Sequence, residues 1–434
     1  MDEILKHFDE YQEVDLAYNK ISNYLAQNLA EALSLNTSVK KLNLECTDLS
    51  QRALGFLEDG LSQNSTLETL NLAENALGDV SMKDMASFLR RNTTIRSLDL
   101  SSNDISDAGI ASLADALKIN KSLQHLNIYD NRISDGALTV LSDVITANPT
   151  LQRLNLGSNK ISNAGVIALA DTLQKTQCLR FLDLSRNENI SDESVAALGE
   201  ALKKSSSLRE LDLGENKCTQ TGALALAAAF DGDCALENLN LSWNQVGDEG
   251  VMALAEKALS SKSPLQILNL THNGITDEGV VVIAKNLGAN TTLDTLILAS
   301  NKCGNEGIAS LAHALGQNMS VRHLNVCRNH IGDDGIDFVA EMLKVNSTLE
   351  ELDISKNDFG DEGAEYLAEA LQQNATLKIL SCHSNKTTDS GARSFVDALR
   401  QNSTLHELNL RYGNQVCVIS DSILSTIKNL LNEG

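Results

Sequence analysis

One spacing constrains this chain more than any other feature. An LxxLxL block opens on an apolar residue fourteen times from Val39 to Leu405, at intervals of 28 residues. The interval widens to 29 only from Leu179 to Leu208 and from Leu236 to Leu265. A degenerate leading copy, VDLAYNKIS at 14–22, precedes the series. A fixed period of 20–50 residues is the signature of stacked supersecondary units, each too small to bury a core alone.

We number positions from each opener as 0. Positions 3 and 5 are apolar, as in Leu239 and Leu241, a period of two that predicts a short strand with one face hidden. Position 8 is Asn in twelve units, from Asn75 to Asn385. A buried amide there can bond the backbone of adjoining turns and repeat as a ladder. The second half of each unit predicts a helix, as in GDEGVMALAEKAL at 247–259. Asp248 stands where that helix would take its N-cap, with Glu249 in the first turn. Gly at position 14 in nine units marks a close approach to the neighbouring unit. Asn at position 25 suits a left-handed helix end, and Pro149 and Pro264 fall in the turn that follows. Strands pack about 4.8 Å apart and helices 8–10 Å, so such a stack bends. The expected fold is a right-handed α/β solenoid with a horseshoe curve. Parallel strands line its concave face and helices its convex face.

The pattern LxxLxLxxNxIxDxGxxxLxxxL resembles the ribonuclease-inhibitor type of leucine-rich repeat, over about residues 12–412. That repeat occurs in ribonuclease inhibitors, NOD-like receptor sensor regions, Ran GTPase-activating proteins and some effectors of intracellular bacteria. Residues 1–11 and 413–434 then read as terminal caps, the second carrying a helix at 418–431. The resemblance implies a non-catalytic protein that binds another protein on its concave face as inhibitor, scaffold or sensor. A GTPase regulator and a bacterial effector acting in a host cytosol are the alternatives. The GTPase-activating relatives use an Arg on an elongated inter-repeat loop, whereas no unit here exceeds 29 residues before the last.

Composition narrows the partners. The formal net charge of -23 disfavours nucleic acid, whose phosphates require a basic stripe. No apolar run approaches the roughly 18 residues of a membrane span. The acidic start MDEILKHFDEYQE is too polar for a signal peptide, and the eight cysteines form no CxxC pair, so a reducing cytoplasm is expected. Neither His323 with Cys327 nor Cys327 with His383 can grip one zinc, being ~13 and ~10 Å apart on strands. No metal and no cofactor are expected. NHIGDDGID at 329–337 lacks the spacing of a calcium loop. No GxGxxG, P-loop, HExxH or GxSxG occurs, so no enzymatic activity is expected. Nine N-x-[ST] sequons use the position-25 Asn, and these read as structural.

Partner choice should be written in the outward positions 1, 2, 4, 6 and 7. They carry twelve basic and fifteen acidic residues, a difference of -3 against -23 for the chain. Position 4 is Asn or Asp in twelve of fourteen units, a polar ladder that Ile297 interrupts. Large side chains stand out against this background: Phe181 and Ile267 at position 2, Tyr129 at position 6, and Trp243 and Tyr412 at position 7. His272 shares position 7 in the unit after Trp243. Arg153, Arg180, Arg186 and Arg209 gather in the units before it. Aromatic residues and arginine dominate binding hot spots, so these eleven residues are the expected protein contacts.

Overall fold

A computed structural model describes residues 7–411 and 419–433. Every opener studied above sits in the core of an α/β solenoid. Each repeat contributes a three-residue strand and one helix, and the chain divides into two compact units.

The first unit comprises Met1–Asn216 with Asp233–Ala235. Among its described residues are eight strands, Glu13–Asp15 to Glu210–Asp212, each parallel to the next and paired in strict register. Leu42, Leu70 and Leu98 face one another along this sheet. The second unit comprises Lys217–Gly232 with Leu236–Gly434. Its seven strands, Asn238–Asn240 to Glu407–Asn409, pair the same way. In both, an α-helix returns antiparallel to the strand and packs on the helices of adjacent repeats. The leading copy is a complete repeat, with strand Glu13–Asp15 and helix Asn23–Leu35.

The core forms as the period demands. Leu236, Leu239 and Leu241 point inward and are essentially fully buried, with Val251 and Leu254 of the returning helix against them. Burying each such side chain contributes roughly 1.5–3 kcal/mol. Cys218, Cys303 and Cys382 occupy the same inward slots and are buried. No disulfide joins the described cysteines.

The position-8 asparagines behave as expected. The Asn75 amide donates to the carbonyls of Leu44, Leu72 and Ala73, and its oxygen accepts from the N–H groups of Thr47 and Leu49. One side chain thus satisfies two turns that would otherwise be buried unpaired.

Two expectations are corrected. The position-25 asparagines do not adopt the left-handed conformation: Asn64 has φ -68° and ψ 133°, which is extended backbone. Their amides instead tie unit to unit. Asn64 Nδ2 donates to Leu33 and Asn36 carbonyls of the preceding repeat, while Oδ1 accepts from Thr66 and Leu67 N–H. The sequons built on these amides are therefore structural. Asp248 does not cap its own helix, Gly247–Ala258, whose N-cap Val246 offers no side-chain bond. Its carboxylate reaches forward to the N–H groups of Thr276 and Gly279 and the hydroxyl of Thr276. Asp79, Asp277, Asp333 and Asp361 do the same for the helix of the following repeat. This explains the position-14 glycine: a Cβ on Gly279 would lie 2.5 Å from Asp248 Oδ1.

At the termini, residues 7–11 hold a single 3-10 turn, Phe8–Glu10, with Phe8 buried. The last helix is Asp421–Glu433, beginning three residues later than expected. Ile423 and Ile427 are buried on one side of it, and Ile419 is buried just before it. Among the described residues no helix is long and apolar enough to cross a membrane.

Candidate protein-binding surface

The outward positions of the strands build two separate clusters, one in each compact unit. In the first unit, Arg153, Phe181 and Glu210 occupy position 2 of three successive strands. Arg153 lies over the intervening ring, its guanidinium carbon 3.9 Å from the Phe181 centroid. Beyond the ring it donates two hydrogen bonds to the Glu210 carboxylate, at 2.9 and 3.3 Å. A second bridge runs beside the first. Tyr129 crosses Gly157, where a Cβ would stand 2.8 Å from its ring, and its hydroxyl accepts from Arg186 at 3.0 Å. Arg186 Nε also donates to Glu215 at 2.7 Å. Those bonds to Glu215 and Tyr129 raise the Arg186 pKa further above its ordinary value.

The two remaining arginines differ. Arg209 donates to the Ala235 carbonyl at 2.9 Å, whereas Arg180 is exposed. Burial, and then the charge of Arg153, lower the pKa of His125, so the imidazole beside this cluster favours its neutral form. Exposed ion pairs of this kind are individually weak, so a partner's carboxylate can replace Glu210 or Glu215 at small cost. Both bridges hold an Arg and an aromatic ring in fixed geometry, which limits the entropy a contact must lose on binding.

In the second unit, Trp243 stacks on His272 with ring centroids 4.0 Å apart. Both residues have a left-handed backbone, φ 55°. The indole is 49% exposed. Ile267 and Ile297, both half-buried, line two different recesses of this unit. The structure thus joins Arg153 to Phe181, Tyr129 to Arg186 and Trp243 to His272, and sets Ile267 and Ile297 on adjacent strands, facing different recesses. Tyr412 lies outside the described residues.

The recess around Ile297 was not anticipated. It measures about 480 Å³ and opens on the strand face. Its lining brings in His323, Glu351, Asp353 and Ile379, none of them among the expected contacts. The signal was present in the position-4 ladder, which fails twice, at Ile297 and at Ser381. Both residues line this recess. Among the described residues no group of three His, Cys, Asp or Glu side chains is placed to hold a metal ion.

A family profile described as leucine-rich repeat matches eleven segments, from 63–86 to 345–368. No curated protein matches the chain in sequence. Among solved structures, one similar chain is the leiomodin-1 actin-binding site 2, 23% identical, covering 36% of this chain and 87% of that one, with a TM-score of 0.32. Another is an internalin from Listeria monocytogenes, 18% identical, covering 95% and 89%, with a TM-score of 0.46.

Proposed function

The chain belongs to the leucine-rich repeat family, and from that premise we propose that it is a non-catalytic interaction protein. It binds a partner protein through the strand side of its repeats, as an inhibitor, scaffold or sensor, within a reducing cytoplasm.

The observation that carries this reading is the placement of Trp243. A tryptophan normally contributes by burial. Here the single tryptophan of the chain is half-exposed on a left-handed backbone, a conformation that costs an L-residue about 1–2 kcal/mol. That cost is shared by the position-7 turns of the other repeats; what sets Trp243 apart is a large aromatic surface left half in solvent beside His272, open to contact. The Arg153–Phe181–Glu210 bridge adds the residue types that anchor hot spots, already held in place.

Affinity capture on the full chain, followed by hydrogen-exchange footprinting of the complex, tests this. The expected result is a partner lost on Trp243→Ala or Arg153→Ala, with protection on strand peptides. A partner that survives both substitutions, or protects only helix peptides, would overturn the reading.

A further inference from the structure

In the second compact unit, four consecutive strands present their outward residues as a two-row grid. Register places Thr295, His323, Glu351 and Ile379 in one row. Ile297, Asn325, Asp353 and Ser381 form the other. These eight side chains frame the 480 Å³ recess, whose lining includes two carboxylates and no Lys or Arg. Two of the flanking cations are already engaged. Arg322 and Lys378 both bind Glu350, each one position before the grid, at 2.7 and 2.6 Å.

The polar ladder is broken at both ends of the recess, at Ile297 and at Ser381. Within the ladder, an asparagine amide can donate to the acid on the next strand, as Asn325 does to Asp353 Oδ2 at 3.2 Å. On the other side an asparagine at 381 would supply a second donor. Ser381 is too short, and its hydroxyl accepts from Asn409 instead. Asp353 Oδ1 takes only the N–H of Ser355. A carboxylate offers about four acceptor sites, so Asp353 keeps capacity for a further donor. Its negative field reaches the surrounding groups. Burial, and then Asp353, push the Cys327 thiol up to about 11, and Asp353 opposes the burial that lowers the His383 pKa.

We propose that this recess is a lysine clasp, seating a lysine of an extended segment of the partner protein. Its ammonium rests between Asp353 and Glu351, and its alkyl stem lies on Ile379 one strand away, roughly 5 Å. Ile297, two strands from Asp353 or ~10 Å, receives an apolar side chain of the same segment. Charge complementarity favours this occupant, since a carboxylate or phosphate would meet two like charges with no Lys or Arg in the lining, and the one basic ring there, His323, already stands against Glu351 and Asp294. An ammonium, with three donors on a flexible stem, can address both carboxylates at once. The proposal rests on the strand-side reading above and specifies it.

The test uses substitutions that restore the repeat. Ile297→Asn and Ser381→Asn give these units the ladder residue found at position 4 elsewhere, so both variants should fold with unchanged unfolding midpoints. The probe is a fluorescein-labelled hexapeptide alternating leucine and lysine, with a second peptide carrying glutamate for lysine. Fluorescence anisotropy on the full chain, at physiological ionic strength, should show binding of the lysine peptide only. Asp353→Asn and Ser381→Asn should each weaken it about ten-fold, the scale of one charge-assisted bond. Glu278→Gln, on a helix, should leave it unchanged. Equal binding by wild type and Asp353→Asn, absence of binding, or equal binding of the glutamate peptide would sink the clasp. If the captured partner still protects strand peptides in that case, only the clasp fails. Protection confined to helices removes the wider reading with it.

Discussion

Position 7 shows most clearly how the repeat fixes the backbone of a residue while leaving its side chain outward. Glu215, Trp243, His272, Ser300, Arg328 and Lys356 all hold φ between 54° and 56° there. The turn requires this conformation because the N–H at position 7 must reach the next repeat. Trp243 N donates to the Thr271 carbonyl at 2.7 Å, and His272 N to Ala299 at 2.9 Å. Glycine meets that demand without strain. We therefore expect Trp243→Gly to unfold at a higher denaturant midpoint than Trp243→Ala, by about 1 kcal/mol. Both variants lose the stack on His272, but only alanine keeps the left-handed penalty. Equal midpoints would show that the strain is absorbed elsewhere. The outward placement of Trp243 was legible in the repeat register, where position 7 falls between the inward positions 5, 8 and 10 held by Leu241, Asn244 and Val246. The left-handed backbone was not, because no glycine marks position 7 and the constraint comes from a carbonyl on another repeat.

Within an element, the helix Gln51–Gln63 carries two glycines with opposite consequences. A Cβ on Gly55 would find only Asp84 Oδ2, at an ordinary 3.8 Å. A Cβ on Gly60 would stand 2.2 Å from the Ala30 carbonyl oxygen and 2.7 Å from its Cα, where the preceding helix packs against this one. Gly55→Ala should stabilise by about 0.5–1 kcal/mol, the usual gain of alanine in a helix interior. Gly60→Ala should destabilise by about 1–3 kcal/mol, since rigid backbone must move to admit the methyl. Urea unfolding of the two variants checks the sign of each. Sequence alone assigns both glycines to the same helix, and only the neighbouring backbone separates them. The same limit explains the misreading of Asp248. An acid at the start of a helical pattern looks like a cap for that helix, and its reach to Thr276 depends on how repeats stack. By contrast, the strand and helix alternation followed from spacing, because apolar residues recurring every 28 positions permit few other ways of being buried.

Across the molecule, the forward-reaching carboxylates join a local motif to the pH response of the fold. The excess acid, a net charge of -23, repels itself, and lowering the pH relieves that repulsion. The cap ladder works in the opposite sense. The Thr388 N–H, helped by the Thr388 hydroxyl and the Gly391 N–H, holds Asp361 below its ordinary pKa against a burial term that raises it. For Asp79, burial is the largest influence and raises the pKa, but bonds from Ser106 and Gly109 and the charge of Arg132 outweigh it. A carboxylate with a lowered folded-state pKa stabilises fully above its unfolded value of about 4, and loses that contribution as pH falls toward the folded value. Thermal unfolding from neutral to acid pH therefore mixes relief of repulsion with loss of caps. Replacing Asp79 and Asp361 together by asparagine separates them. Asparagine is compatible with the site, since Asn305 holds the same position in another repeat and accepts from the Gly332 N–H of the following repeat at 2.8 Å. The double variant should melt below wild type at neutral pH, and the gap should narrow between about pH 5 and pH 2 as the wild-type caps protonate. A gap that stays constant over this range would mean that the two carboxylates stabilise through shape and not charge.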